Sequence, residues 1–189
     1  MILGTFVNTQ ISIDDAAIRR LWTYTCAADG EISAIGEVDV TSDGVHVPNM
    51  IHFTHQSGSY GSTRIDNHAL VELMTRYDHE GRDPTRLRFW FHTHGDMEAF
   101  FSITDETTIN KLVTTYGWSL LVAACFNRRG ETMWKVVSNG LELAPWPFLI
   151  PTDAPSLDEV LAVLPIINEL VQPLPTRFRL IRRRFGRGR

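Results

Sequence analysis

The sequence of 189 residues contains only two cysteines, Cys26 and Cys125. Two thiols are too few for a disulfide framework or for a zinc site built from thiolates, so we interpret both as reduced, buried side chains. No apolar run approaches the roughly 18 residues that a membrane span needs, and the first residues lack the basic start of a secretory signal. These features predict a cytoplasmic protein without a membrane span.

Acidic residues are missing from the C-terminal end. Residues 176–189 hold seven arginines and no acidic residue, whereas the rest of the chain has 11 basic and 22 acidic side chains. An acidic body is therefore followed by a basic tail. Such tails are usually solvated, but clustered arginines also bind phosphates, so a nucleic acid or another anionic surface is an alternative partner of this tail.

The order of the predicted elements indicates an α/β domain over residues 1–145, with one mixed β-sheet flanked by helices. Helices are predicted from Ser12, from Asp66 to Tyr77 and from Ser102 to Gly117. The predicted strands cover residues 31–40, 45–55, 87–94, 118–126 and 132–140, and residues 56–63 are predicted to be a flexible loop.

The C-terminal extension has a different composition. Residues 146–175 are rich in proline and are interpreted as a linker with a short helix that starts at Ser156. We expect Pro165 to kink or break this helix, because proline has no backbone N–H to donate. Residues 176–189 form the arginine-rich tail.

Two histidines mark the predicted functional site. His92 and His94 are two residues apart at the end of the apolar strand 87–94. Alternate residues of a strand point to the same face, so both imidazoles can reach one point. Short motifs of this kind often occur without a metal, and the pair alone is weak evidence for one.

Asp105 strengthens the prediction. Seven residues separate His94 from Ser102, and Ser102-x-x-Asp105 has the form of a capping box at a helix start. A loop of this length can bring the helix start back over the strand end. Two histidines, one aspartate and a water complete a tetrahedral catalytic zinc site with an open position.

Hydrolysis of an amide also needs a carboxylate that moves the proton of the attacking water. The candidates are Glu31 and Glu37 on the preceding predicted strand. They are six residues apart and should share one face, so the spacing leaves both open as the base.

The combination of Glu31, His92-x-His94 and Ser102-x-x-Asp105 resembles the JAMM/MPN family of zinc metalloproteases. The resemblance covers about residues 10–145 and implies a cytidine-deaminase-like fold. It implies one zinc per chain, bound by the two histidines and Asp105. It also implies Glu31 as the acid and base, and Ser102 as a residue that stabilises the oxyanion.

The implied reaction is cleavage of a peptide or isopeptide bond, with a ubiquitin-like protein as a candidate substrate. The arginine-rich tail is then a candidate pseudosubstrate as well. Proline is common after the second histidine and before the serine in this family, whereas this chain has Gly95 and Phe101. At these positions the chain resembles the prokaryotic and phage-like branches of the family more than the eukaryotic ones.

Other zinc enzymes fit less well. A metallo-β-lactamase needs further histidines, and none follows His94. A zinc nucleobase deaminase needs a paired-cysteine motif, which the chain lacks. The remaining alternatives are a non-catalytic scaffold of the same fold and a nucleic-acid-associated protein that acts through its tail.

Overall fold

The computed structural model describes residues 10–42, 44–115, 117–143 and 153–173. Within these ranges the chain forms a mixed α/β structure with four α-helices. The helices are α1 (Asp15–Ala27), α2 (Asn67–His79), α3 (Ile103–Thr115) and α4 (Leu157–Leu170). The strands are β1 (Gln10–Ile13), β2 (Ser33–Glu37), β3 (Asp39–Thr41), β4 (Gly44–Val47), β5 (Ile51–His52), β6 (Gln56–Ser59), β7 (Ser62–Ile65), β8 (Leu87–Thr93), β9 (Leu120–Phe126), β10 (Thr132–Ser138), β11 (Leu141–Leu143) and β12 (Val171–Pro173).

The central sheet has six strands in the order β11-β10-β9-β8-β2-β5. Among its described strands, only β8 and β9 run parallel, and α3 connects them. Phe89 and Phe91 of β8 pack on one face of the sheet together with residues of α1. Trp90 packs on the other face with residues of α2 and α3. The alternation of β8 therefore directs the next even-numbered residue, His92, towards α3.

The prediction of a single sheet was wrong, because two further sheets of three strands form, in the orders β1-β4-β3 and β12-β6-β7. The predicted strand 31–40 is divided at Val38 into β2 and β3, just after a register shift between Gly36 and Glu37 in the pairing of β2 with β8. The second predicted strand is divided at Pro48, which has no backbone N–H for a ladder. Residues 56–65, largely predicted to be a loop, form the hairpin β6–β7.

The hairpin forms despite its polar sequence because the side chain of Gln56 bonds the backbone of a neighbouring strand. Its amide nitrogen donates to the carbonyl oxygen of Ser33 at 2.8 Å, and its amide oxygen accepts from the N–H of Ser33. These bonds satisfy backbone groups that β2 does not pair with another strand.

The described part of the extension packs on the domain. Helix α4 continues through Pro165 and begins with the predicted capping box at Ser156. Ile167 is buried in a cluster with apolar residues of α1, and Arg19 of α1 forms an ion pair with Glu159 at 2.7 Å. This packing offsets the hydrogen bond that Pro165 cannot donate.

Strand β12 then pairs with β6. The first residues of the predicted linker and the arginine-rich tail lie outside the described residues. None of the described helices is both long and apolar enough to cross a membrane.

Candidate metal centre

The two histidines lie at the carboxyl end of β8, and both are almost fully buried. His92 is the penultimate residue of the strand, and His94 follows its last residue. Their Nε2 atoms face each other at 3.2 Å. Trp90 stacks on His92 with ring centroids 4.5 Å apart. Burial lowers the pKa of His92 despite the opposing effect of Asp105, so its imidazole is neutral.

Asp105 lies in the first turn of α3 and faces both imidazoles. Its Oδ1 is 3.4 Å from His92 Nε2, and its Oδ2 is 3.5 Å from His94 Nε2. Burial by itself would raise the pKa of Asp105. The two imidazoles and the side chain of Ser102 outweigh burial and hold this pKa well below its usual range. The carboxylate is therefore charged at every physiological pH.

Ser102 and Asp105 form the predicted capping pair. The backbone N–H of Ser102 donates to Asp105 Oδ2 at 2.7 Å, and the N–H of Asp105 donates to Ser102 Oγ at 3.3 Å. The helix cap thus fixes the carboxylate in front of the histidines. Ser102 itself is half-buried beside them.

The spacing of the donor atoms fits a tetrahedral cation site. Bonds of about 2.0–2.1 Å at tetrahedral angles place two donor atoms about 3.3–3.4 Å apart. The three separations among His92, His94 and Asp105 are 3.2, 3.4 and 3.5 Å. The two carboxylate oxygens each face one histidine, so a small rotation of Asp105 suffices to direct one oxygen to a common centre.

The protons of the histidines also fit a cation. His94 Nδ1 lies 2.9 Å from the carbonyl oxygen of Glu98 and must donate to it. Burial by itself would lower the pKa of His94, but its hydrogen bonds with Asp105 and with the carbonyl of Glu98 outweigh burial and raise this pKa, so a cation at Nε2 would replace a proton there. His92 Nδ1 is buried and has no hydrogen-bond partner among the described residues. With the proton of each ring on Nδ1, the two Nε2 lone pairs would meet at one point, an arrangement that a cation between them stabilises.

Glu31 lies next to this group. It precedes β2 and is only 5% exposed. Ile32 and Thr93 are joined by a backbone hydrogen bond of 3.0 Å, and Ser33 pairs with His92, so the antiparallel register leads from Glu31 to His94. Burial raises the pKa of Glu31 to about 7; His94 opposes this shift and the charge of Asp105 adds to it.

Close packing of the backbone holds Glu31 in this position. The N–H of Glu31 donates to the carbonyl oxygen of Ser59 at 2.8 Å. A Cβ atom at Gly58 would lie only 2.6 Å from the carbonyl oxygen of Glu31. Only glycine allows β6 to approach Glu31 this closely.

Glu37, the other candidate base, lies at the opposite end of β2. It pairs with Leu87 at the start of β8, which is five strand residues, or roughly 17 Å, from His92. Its buried carboxylate forms ion pairs with Arg82 and Arg86 and accepts a hydrogen bond from Tyr77. These contacts give Glu37 a role in stabilising the fold.

Cys125 was not predicted to be a neighbour of the histidines. It is fully buried on β9 and is the register partner of His92 on β8. The possible ligand atoms of His92, His94 and Cys125 all lie within 4.8 Å of one another. The β8-α3-β9 order was visible in the sequence, and parallel pairing of these two strands would have identified this neighbour.

The loop between His94 and Ser102 is held by the turn after β9. Arg128 forms a bidentate ion pair with Asp96, with nitrogen–oxygen distances of 2.9 and 2.6 Å. The same guanidinium donates to the carbonyl oxygen of Ala28, three residues before Glu31. Arg128 therefore connects the loop of the histidines with the segment that carries Glu31.

No protein-family model matches this chain, and no curated protein is significantly similar to it in sequence. What the site does must therefore be argued from its own geometry. The described residues bring together a buried group, His92-His94-Cys125, that can bind a metal ion, with Asp105 and Glu31 beside it.

Proposed function

We propose that this chain is a zinc-dependent hydrolase of the JAMM/MPN type that cleaves a peptide or isopeptide bond. The observation that carries the proposal is the close approach of His92, His94 and Asp105: the two Nε2 atoms lie 3.2 Å apart, and each faces one carboxylate oxygen of Asp105, at 3.4 and 3.5 Å. These separations fit a tetrahedral zinc with one open position, which is the arrangement of catalytic zinc. When bound, zinc would acidify a water and polarise the scissile carbonyl.

Glu31 is suited to move the proton. A carboxyl group with a pKa of about 7 exchanges protons readily at neutral pH. It takes one proton from the attacking water and delivers it to the nitrogen of the leaving amine, while the oxygen of the water bonds to the carbonyl carbon. The products are a carboxylic acid and an amine, and Glu31 returns to its starting state.

Ser102 is suited to stabilise the oxyanion. Its Oγ accepts the N–H of Asp105, and this contact does not use the hydroxyl hydrogen. In the substrate-free state that hydrogen is shared with the carboxylate of Asp105, and it can turn to the negative oxygen that forms during attack. Because the helix cap holds the serine in place, this turn needs little reorganisation of the backbone.

The substrate we propose is an extended peptide or isopeptide segment, with a ubiquitin-like protein as the first candidate. Support for a polypeptide substrate comes from the exposed apolar side chains beside the site, among them Phe100 at 45% and Ile103 at 88% exposure. Aromatic and aliphatic groups at the rim of a site provide contact area for a chain segment.

The test combines zinc quantification with cleavage of a fluorogenic ubiquitin-like fusion. Wild-type protein purified without chelator should hold one zinc per chain. Glu31→Gln should keep the zinc and lose roughly 100- to 10,000-fold in kcat, the usual contribution of a general base. Glu98→Gln is the matched control. The Glu98 side chain is exposed, and the group of Glu98 that bonds His94 is its backbone carbonyl, which the substitution does not change.

A non-catalytic scaffold of the same fold is the alternative. Wild-type protein without stoichiometric zinc would support the scaffold and refute the hydrolase. Zinc binding with equal activities for wild type and Glu31→Gln would leave the metal centre standing and refute Glu31 as the base.

A further inference from the structure

Cys125 lies beside the proposed metal and is not used by the proposed reaction. It is the register partner of His92 in the parallel pair β8–β9, so the two side chains project from the same face of the sheet. Its ligand atom lies within 4.8 Å of those of both histidines. This arrangement makes Cys125 part of a three-residue cluster and not an isolated thiol.

The surroundings of Cys125 differ from those of its strand neighbours. Ala123, Ala124 and Phe126 belong to the two apolar clusters of the sheet, and Cys125 belongs to none of the described clusters. It interacts instead with the carboxylates of Asp105 and Glu31. The backbone of Phe100 also forms a hydrogen bond with this thiol. Two neighbouring carboxylates do not favour a free thiolate, whereas a bound cation stabilises one.

Accordingly, we propose that Cys125 is a further protein ligand of the metal, which closes the open position in the substrate-free state. The proposal rests on the metal site of the proposed function and adds a regulation to it. On binding, the S–H bond breaks, the proton leaves to solvent, and the sulfur lone pair forms the bond to the cation. No electron is transferred, so no oxidant or reductant is needed.

The geometry allows this bond after a small movement. Bonds of about 2.05 Å to nitrogen and about 2.3 Å to sulfur place these donors roughly 3.5 Å apart in a tetrahedral site. Because the sulfur already lies within 4.8 Å of a ring nitrogen of each histidine, each of these separations has to shorten by no more than about 1.3 Å. Substrate then has to displace the thiolate, and the site should prefer soft cations over hard ones.

The experiment is a titration of the metal-free full chain with Co²⁺, read by absorbance. A thiolate bound to Co²⁺ gives an intense charge-transfer band in the near ultraviolet, and imidazole or carboxylate ligands do not. The chain offers a matched control, because Cys26 is its other cysteine and lies on α1. The variants are therefore Cys125→Ser and Cys26→Ser.

We expect wild type and Cys26→Ser to show the band with saturation at one Co²⁺ per chain. Cys125→Ser should bind one Co²⁺ without the band and should bind Cd²⁺ at least 10-fold more weakly. Since Cys26→Ser retains Cys125 alone, its band identifies the ligand even if Cys125→Ser does not fold.

One Co²⁺ per chain without a band in Cys26→Ser would overturn the role of Cys125 and leave the proposed hydrolase intact. Absence of Co²⁺ binding in the folded wild type would overturn both proposals.

Discussion

Replacement of Gly58 by alanine tests how the fold positions Glu31. The added Cβ would lie 2.6 Å from the carbonyl oxygen of Glu31 and 3.1 Å from Cγ1 of Val171. Neither contact can be tolerated without movement, and one of them involves backbone. The hairpin and the segment of Glu31 must therefore separate by several tenths of an ångström.

The expected cost follows from overpacking, which typically destabilises a protein by about 1–3 kcal/mol. For a chain of this size each kcal/mol lowers Tm by about 2–4 °C, so we expect Gly58→Ala to melt about 2–12 °C below wild type. Zinc affinity should not change, because His92, His94 and Asp105 are carried by β8 and α3. Displacement of the base by a fraction of an ångström should lower kcat by about 10- to 100-fold.

Gly61→Ala is the matched control, because no atom lies within 4 Å of a Cβ built at Gly61. The assays are thermal unfolding, zinc stoichiometry and cleavage of the fluorogenic fusion, each on both variants. If Gly58→Ala is as stable and as active as Gly61→Ala, the close approach of β6 does not position Glu31. A loss of zinc together with activity would show that the damage is not confined to the base.

Three further predictions concern the metal ligand, the loop and the pH dependence. Asp105→Asn should weaken zinc binding by more than the roughly 100-fold lost when a residue behind a ligand is changed; competition with a chromogenic chelator measures this, and unchanged affinity would remove Asp105 from the site. Arg128→Ala should speed amide hydrogen exchange across residues 95–101, whereas Arg129→Ala should not, because Arg129 pairs only locally with Glu131. Equal exchange rates in the two variants would show that Arg128 does not hold this loop. Burial lowers the pKa of His52 to about 4, below its ordinary 6.5, so its contribution to stability is complete above pH 6.5 and is lost as the pH falls towards 4. After allowance for solvent at this half-buried ring, the free energy of unfolding falls by about 1–2 kcal/mol over this range. His52→Gln should therefore make the urea midpoint depend less steeply on pH between 7 and 4.5. A pH dependence as steep as that of wild type would refute this role of His52.

Periodicity in the sequence was sufficient to predict the helices and the central strands. Ser156 caps α4 where its capping pattern predicted, and Asp66, predicted as the first residue of the second helix, is the N-cap of α2. The apolar strand predicted at residues 87–94 is an interior strand of the central sheet. Its consecutive aromatic side chains point to alternate faces, and an interior position buries both faces. The structure differs from the prediction at residues 56–65, which form a hairpin where mostly a loop was predicted, and at Pro165, where α4 is not broken.

These failures have a common physical cause. Gln56 forms a strand because its amide bonds Ser33, which is 23 residues earlier, and no local pattern contains that bond. The helix continues through Pro165 because α1 offers an apolar surface to Ile167. Tertiary contacts compensate for weak local preference in both places.

The site divides in the same way. The spacing of His92, His94 and Asp105 identified a group that the fold brings within 3.5 Å, because a strand, a loop and a helix cap are local structures. The choice between Glu31 and Glu37 required the register of β2 and β8, which includes a shift that no spacing rule contains. Cys125 required the parallel pairing of β8 with β9.

The distances along the sequence between the residues of the candidate site bear on the order in which the site assembles during folding. The histidines and Asp105 lie within 14 consecutive residues, so the entropy lost in closing this loop is small. Glu31 is 61 residues before His92 and joins them only when β2 has docked. On the proposed function, the three metal-binding side chains can therefore come together before Glu31 is in place, so that the metal site would form ahead of the hydrolytic activity.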